Sequence, residues 1–148
     1  MSTETEFLSG HELDFLIRLL ACLVSGTVIG IERELRSKPA GISTHCFVIA
    51  GACMFTLISG VADPSSKARI AAQVVSGVGF LGAGMIIKGT GDKIRNLTTA
   101  AAVWFAAAIG LAIGIGWLAI AGIATLYAVI VPRIPHTKKW LKDQGEDE

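Results

Sequence analysis

Long apolar stretches separated by short polar segments organise this chain. The first stretch covers 13–31 and is closed by Glu32-Arg33-Glu34. The second covers 45–62 and stops at Asp63-Pro64, and the third covers 70–87 and stops at Lys88-Gly89. A helix crosses a hydrocarbon core of about 30 Å with roughly 20 apolar residues, and about 17 are tolerated, so each stretch has spanning length. The fourth, 97–131, holds 35 residues without a charge. As one helix it would be about 50 Å long and overshoot the bilayer. Gly114-Ile115-Gly116-Trp117 supplies turn residues and an interfacial tryptophan, which divides it into spans at 97–114 and 117–131. The last span is short and calls for tilt or local thinning. The pattern therefore predicts an all-α integral membrane protein of five short transmembrane helices.

Charge orients that bundle. Only Arg18 of the 25 charged side chains (13 basic, 12 acidic) lies well inside an apolar stretch. With five spans and the N-terminus outside, Arg33, Arg36, Lys38, Lys88, Lys93, Arg95, Arg133, Lys138, Lys139 and Lys142 fall inside. Only Lys67 and Arg69 fall outside, a ten-to-two bias that four spans would spoil. Expected organisation is thus an external segment at 1–12, a membrane domain at 13–132 and a cytoplasmic tail at 133–148. The tail, with Trp140 and Leu141, is too short for a domain and suits an interfacial turn or an unstructured end. Acidic residues before the first stretch, and the length of that stretch, argue against a cleavable signal. The composition, 52% hydrophobic with 17% charged residues and a mean hydropathy of +0.61, agrees with lipid as the main solvent. A net charge of +1 with no basic stripe excludes a nucleic-acid partner. No internal repeat points to an inverted-repeat transporter.

Within lipid, helices associate where small residues let backbones approach. Gly26 and Gly30 form a GxxxG in the first span, and Ala102, Ala106, Gly110 and Gly114 recur every four residues in the fourth. Such ridges predict tight helix contacts and a homo-oligomer. Gly77, Gly79, Gly82 and Gly84 crowd the third span. Gly77 to Gly82 formally match a dinucleotide-binding GxGxxG, but without the strand, helix and acidic residue that motif requires. They suit either close packing against the first span or a partner copy, or a helix break facing a solute cavity.

Few polar groups remain to be explained. Asp14 lies four residues before Arg18 and should pair with it. Glu32, Arg33, Glu34, Lys38 and His45 surround a connection broken by Pro39 and Gly41. This cluster is either a solvated, orienting loop or a membrane mouth, where Glu32 and Glu34 are weak candidates for Mg²⁺, a cation that prefers oxygen ligands. Arg69, Gln73 and Ser76 share a face of the third span. Thr98 and Thr99, next to Arg95, open the fourth, where hydroxyls usually cap or bond back to carbonyls. The thiols Cys22, Cys46 and Cys53 lie in apolar stretches without a CxxC or nearby histidines, so neither zinc nor any resident cofactor is expected. No nucleophile–base pair or mid-span carboxylate is visible, and the chain is not expected to be an enzyme.

These strings resemble the transmembrane domain of the MgtC/SapB family. The resemblance rests on Gly26-Thr27-Val28-Ile29-Gly30-Ile31-Glu32-Arg33-Glu34, then Lys38, Ala40-Gly41 and Thr44-His45. It continues through Arg69 to Gly84, and through Leu97-Thr98-Thr99-Ala100-Ala101 with Trp104 and the later glycines. It implies a bacterial inner-membrane protein tied to growth at low magnesium, with the proton-translocating ATP synthase as a partner of one relative. Longer members carry a soluble ACT-like domain that these 148 residues do not reach, and Asn96 stands where the family usually has glycine. Two functions follow from this reading. One is a non-catalytic regulator or accessory factor of magnesium and envelope homeostasis. The other is a homo-oligomeric transporter or channel for Mg²⁺ or another small solute.

Overall fold

The computed structural model describes residues 12–62, 68–88 and 94–134. The expected external segment up to residue 11, the turn holding Lys67, the position of Lys93 and the tail from 135 lie outside them. Five helices follow one another: α1 (Glu12–Leu35), α2 (Ile42–Ala62), α3 (Ala68–Met85), α4 (Leu97–Ile115) and α5 (Leu118–Ile130). A two-residue antiparallel ribbon, β1 (Ile87–Lys88) with β2 (Ile94–Arg95), joins α3 to α4, and a 3-10 turn at Val131–Arg133 follows α5. The chain is an all-α membrane protein. Helices α1, α2 and α4 are long and apolar enough to cross a bilayer, while α3 and α5 are shorter apolar helices.

The division of the fourth stretch falls where its glycines allow. Gly116 adopts φ 98°, and the amides of Gly116 and Trp117 bond back to Ile113 O and Ala112 O, at 2.9 and 2.8 Å. This Schellman arrangement, with a residue in the left-handed region that only glycine enters freely, ends α4. One boundary corrects the sequence reading. Glu32-Arg33-Glu34 do not close α1, because these residues are good helix formers and carry the helix a further turn. A second Schellman pattern ends α1 instead: Ser37 takes φ 52°, its amide bonds to Glu34 O, and that of Lys38 bonds to Arg33 O. The turn into α4 is set by Asn96, at φ 65°, whose Nδ2 donates to Met85 O. Asparagine is one of the few residues other than glycine that enters the left-handed region readily, which suits it to this turn.

Small residues set the helix contacts. Gly26 lies on Cys46 and Gly30 on Ile42, so α1 and α2 run antiparallel with their backbones touching. Gly110 lies on Ile49 and Ala52, and Gly114 on Cys53 and Thr56, which places α2 and α4 parallel. Helix α4 touches all four other helices. The core gathers around it from Cys22, Ile29, Ile49, Cys53, Ala106, Ile109, Ile113 and Ala121. The glycines of α3 behave otherwise. Helix α3 is unbroken from Ala68 to Met85, so of the two arrangements its glycines suit the break is absent, and its main neighbours are α2 and α4 rather than α1. Gly82 meets Ala100, but Gly77, Gly79 and Gly84 face open space. Large apolar side chains such as Phe47 and Phe80, 79% and 84% exposed, cover the outside, as suits a surface whose solvent is hydrocarbon.

Candidate functional site

The C-terminal end of α1 carries a cluster of buried polar groups. Continuing the helix through Glu32 and Arg33 turns both side chains inward, where they are 3% and 2% exposed. Arg33 Nη2 donates to Thr99 Oγ1 at 3.0 Å, joining α1 to the first turn of α4. Glu32 accepts from Arg36 Nη1 at 3.5 Å and lies 4.0 Å from Arg33 Nη1. Arg36 Nη1 also donates to Pro132 O, which brings the turn after α5 into the cluster. From α2, the fully buried His45 places Nδ1 2.9 Å from Gly41 O. Three atoms among these side chains, Glu32 Oε2, Arg33 Nε and His45 Nε2, have no hydrogen-bond partner in the protein. Charges removed from water persist only when paired or hydrogen-bonded, so this cluster is where the fold concentrates its polar cost.

Glu34 has a different task. Two residues after Glu32 it points to the other side of α1, and its Oε1 accepts the amide of Ile42 at 2.9 Å, capping α2. A side chain at Gly41 would strike Glu34 Cγ at 2.9 Å, so glycine there keeps the cap in reach. The pair Glu32 and Glu34 is therefore split, one acid buried against arginines and the other exposed on a helix cap. The described residues contain no group of three His, Cys, Asp or Glu side chains placed to hold a metal ion.

At the other end of the bundle Arg18 mirrors Arg33. Its Nε donates to Asp14 Oδ2 at 2.8 Å, the pair expected from their spacing. Its Nη1 also donates to Ile113 O and Gly114 O, at 2.9 and 2.7 Å, the carbonyls at the C-terminus of α4. A guanidinium there meets both the open carbonyls and the negative end of the helix dipole. Arg18 and Arg33 stand 15 residues apart on α1, and Thr99 and Gly114 stand 15 apart on α4. At 1.5 Å per residue both separations are about 22 Å, so two arginines fasten one antiparallel helix pair at both ends.

The remaining expected site residues lie elsewhere. Lys38 is exposed in the α1–α2 connection, and Thr98 is exposed beside the buried Thr99. Thr99 is not the expected cap, because its hydroxyl receives Arg33, and Asn96 occupies the cap position. Arg69 and Gln73 sit on the first turns of α3, at the Arg18 end, away from the buried cluster. Gln73 opens into a cleft of about 490 Å³ between α2 and α3, otherwise lined by apolar side chains and by Gly51 and Gly77. The sequence reading missed Arg36 and the carbonyl contacts of Arg18. The equal 15-residue spacings were the available signal.

Comparison with known proteins places this helical body among relatives. Residues 19–139 match the MgtC family. An uncharacterised protein of Haemophilus influenzae is 37% identical over 96% of this chain and 64% of its own length. Protein MgtC of Salmonella typhimurium is 46% identical over 69% of this chain and 44% of its own. Protein MgtC of Brucella abortus is 43% identical over 78% and 50%. The chain thus spans 44 to 64% of the length of these relatives. No solved structure matches.

Proposed function

Because the chain belongs to the MgtC family, we propose that it is a non-catalytic regulator or accessory factor of magnesium and envelope homeostasis in the bacterial inner membrane. The observation that carries this reading is the use made of charge inside the helical body. Arg18 holds the end of α4, Arg33 holds Thr99, and Glu34 caps α2. A carrier for a divalent cation needs carboxylates free to take and release the ion along a path through the bilayer. The acids described here lie at the two ends of the helical body, away from its middle, and α3 offers no unwound backbone to replace them. Charge bias along the chain supports an N-terminus outside and an Arg33 end toward the cytoplasm. The exposed outer faces of α3 and α5 would meet a second copy or a larger membrane complex, for which the ATP synthase is the partner suggested by resemblance.

The test is flux of Mg²⁺ and of monovalent cations into proteoliposomes of the purified protein, next to Glu32→Gln. The expected result is flux no higher than in empty vesicles, from protein that restores growth at low magnesium to a strain lacking it. Saturable Mg²⁺ flux that Glu32→Gln removes would overturn the regulator reading in favour of a transporter.

A further inference from the structure

Three polar atoms at the Arg33 end are buried without a hydrogen-bond partner in the protein: Glu32 Oε2, Arg33 Nε and His45 Nε2. Their residues are 3%, 2% and 0% exposed. An unpaired buried group of this kind is costly, and more so when charged. Glu32 and Arg33 are consecutive on α1, with Glu32 Oε2 4.0 Å from Arg33 Nη1, and the His45 ring is held back at Gly41 O, the level where Gly30 of α1 meets Ile42 of α2. One shared partner would satisfy all three atoms.

The chemistry of that partner follows from a count of hydrogens. Arg33 Nε can only donate, and the Glu32 carboxylate oxygen can only accept. His45 Nδ1 faces the carbonyl of Gly41 at 2.9 Å, and a carbonyl only accepts, so Nδ1 carries the proton. A ring with no exposure to water is least costly when uncharged, and uncharged it offers Nε2 as an acceptor. The partner must give two hydrogens and receive one. A metal ion or an ammonium ion cannot receive the Arg33 Nε proton, and either would sit beside the guanidinium charge. An anion cannot supply Glu32 and His45. We propose that Glu32, Arg33 and His45 form a binding site for one buried water molecule, donating to Glu32 Oε2 and His45 Nε2 and accepting from Arg33 Nε. Buried waters typically make about three hydrogen bonds, the number this site provides. The water joins α2 to the Arg33–Thr99 tie, so that α1, α2 and α4 share one polar network under the core.

Nuclear magnetic resonance of the full chain in lipid nanodiscs, with ¹⁵N-labelled histidine, tests this directly. The His45 signals are identified by their loss in His45→Gln. The expected spectrum has Nδ1 protonated, Nε2 unprotonated, and magnetisation passing from water to the His45 ring, all unchanged by added Mg²⁺. Glu32→Leu should abolish that transfer and leave Nδ1 protonated, and should it fail to insert, the wild-type spectrum decides alone. A protonated Nε2, or a ring that receives nothing from water, would overturn the site. An Nε2 signal displaced by Mg²⁺ would overturn it in favour of a cation, and this can happen without any flux in proteoliposomes.

Discussion

Replacing Gly26 by alanine adds one methyl group where the backbones of α1 and α2 meet. The new carbon would lie 2.6 Å from Cys46 Cα and 2.7 Å from Cys46 N, whereas ordinary contact begins at 3.4 Å. The helices must separate by at least 0.8 Å (3.4 less 2.6) at that level. Turning Cys46 Sγ away, itself 2.7 Å distant, does not relieve this, because the other two atoms struck are main chain. Overpacking of a tight interior costs about 1–3 kcal/mol. Alanine returns about 1 kcal/mol of helix propensity relative to glycine. The net loss is then about 1–2 kcal/mol, from the upper part of the first range less the second. Gly77→Ala is the matched control, since Gly77 has nothing within 4 Å and keeps only the propensity gain. The two variants should differ by about 2–3 kcal/mol, with Gly77→Ala at or above wild type. Helical circular dichroism during titration of dodecyl maltoside micelles with sodium dodecyl sulfate measures the difference. If Gly26→Ala unfolds within about 0.5 kcal/mol of wild type, the spread expected of an uninvolved position, the backbone contact is not what holds α1 on α2.

Two further substitutions separate positions that look alike in the sequence. Thr99→Val keeps the shape but removes the acceptor for Arg33, and should cost about 1.5–3 kcal/mol, the range for a hydrogen bond to a charged group. Thr98→Val, at the exposed neighbour, should stay within about 0.5 kcal/mol in the same titration, and equal losses would refute the assignment. Arg18→Met should free the end of α4, so that the amides of Gly116 and Trp117 exchange with solvent faster while those near Arg33 keep their protection. Unchanged exchange at Gly116 would show that the glycine turn holds without the arginine.

Much of the architecture was legible in one dimension because lipid makes the rule simple. A span must be apolar for about 20 residues and bond its backbone internally, so hydropathy alone locates it. That logic placed all five helices within a few residues and located the α4–α5 turn at Gly116. It also identified Gly26, Gly30, Gly110 and Gly114 as contact points, since a small residue every fourth position marks one helical face. Gly77, Gly79 and Gly84 meet nothing within this chain, because a small side chain permits a close neighbour without supplying one.

The roles of the charged residues were decided in three dimensions. Glu32-Arg33-Glu34 read as the end of a span because charge avoids hydrocarbon, yet the helix continues and turns Glu32 and Arg33 inward. Thr99, 66 residues from Arg33, receives its proton, and Gly114, 96 residues from Arg18, receives another. Nothing local to either arginine specifies those partners. The sequence by itself determined how many apolar helices form and which faces are small enough to touch, because both depend on residues within one or two turns. Which charge is buried, which caps a helix and which is left for a ligand depended on helix pairing, because a polar atom's free energy is set by the partner that packing brings to it.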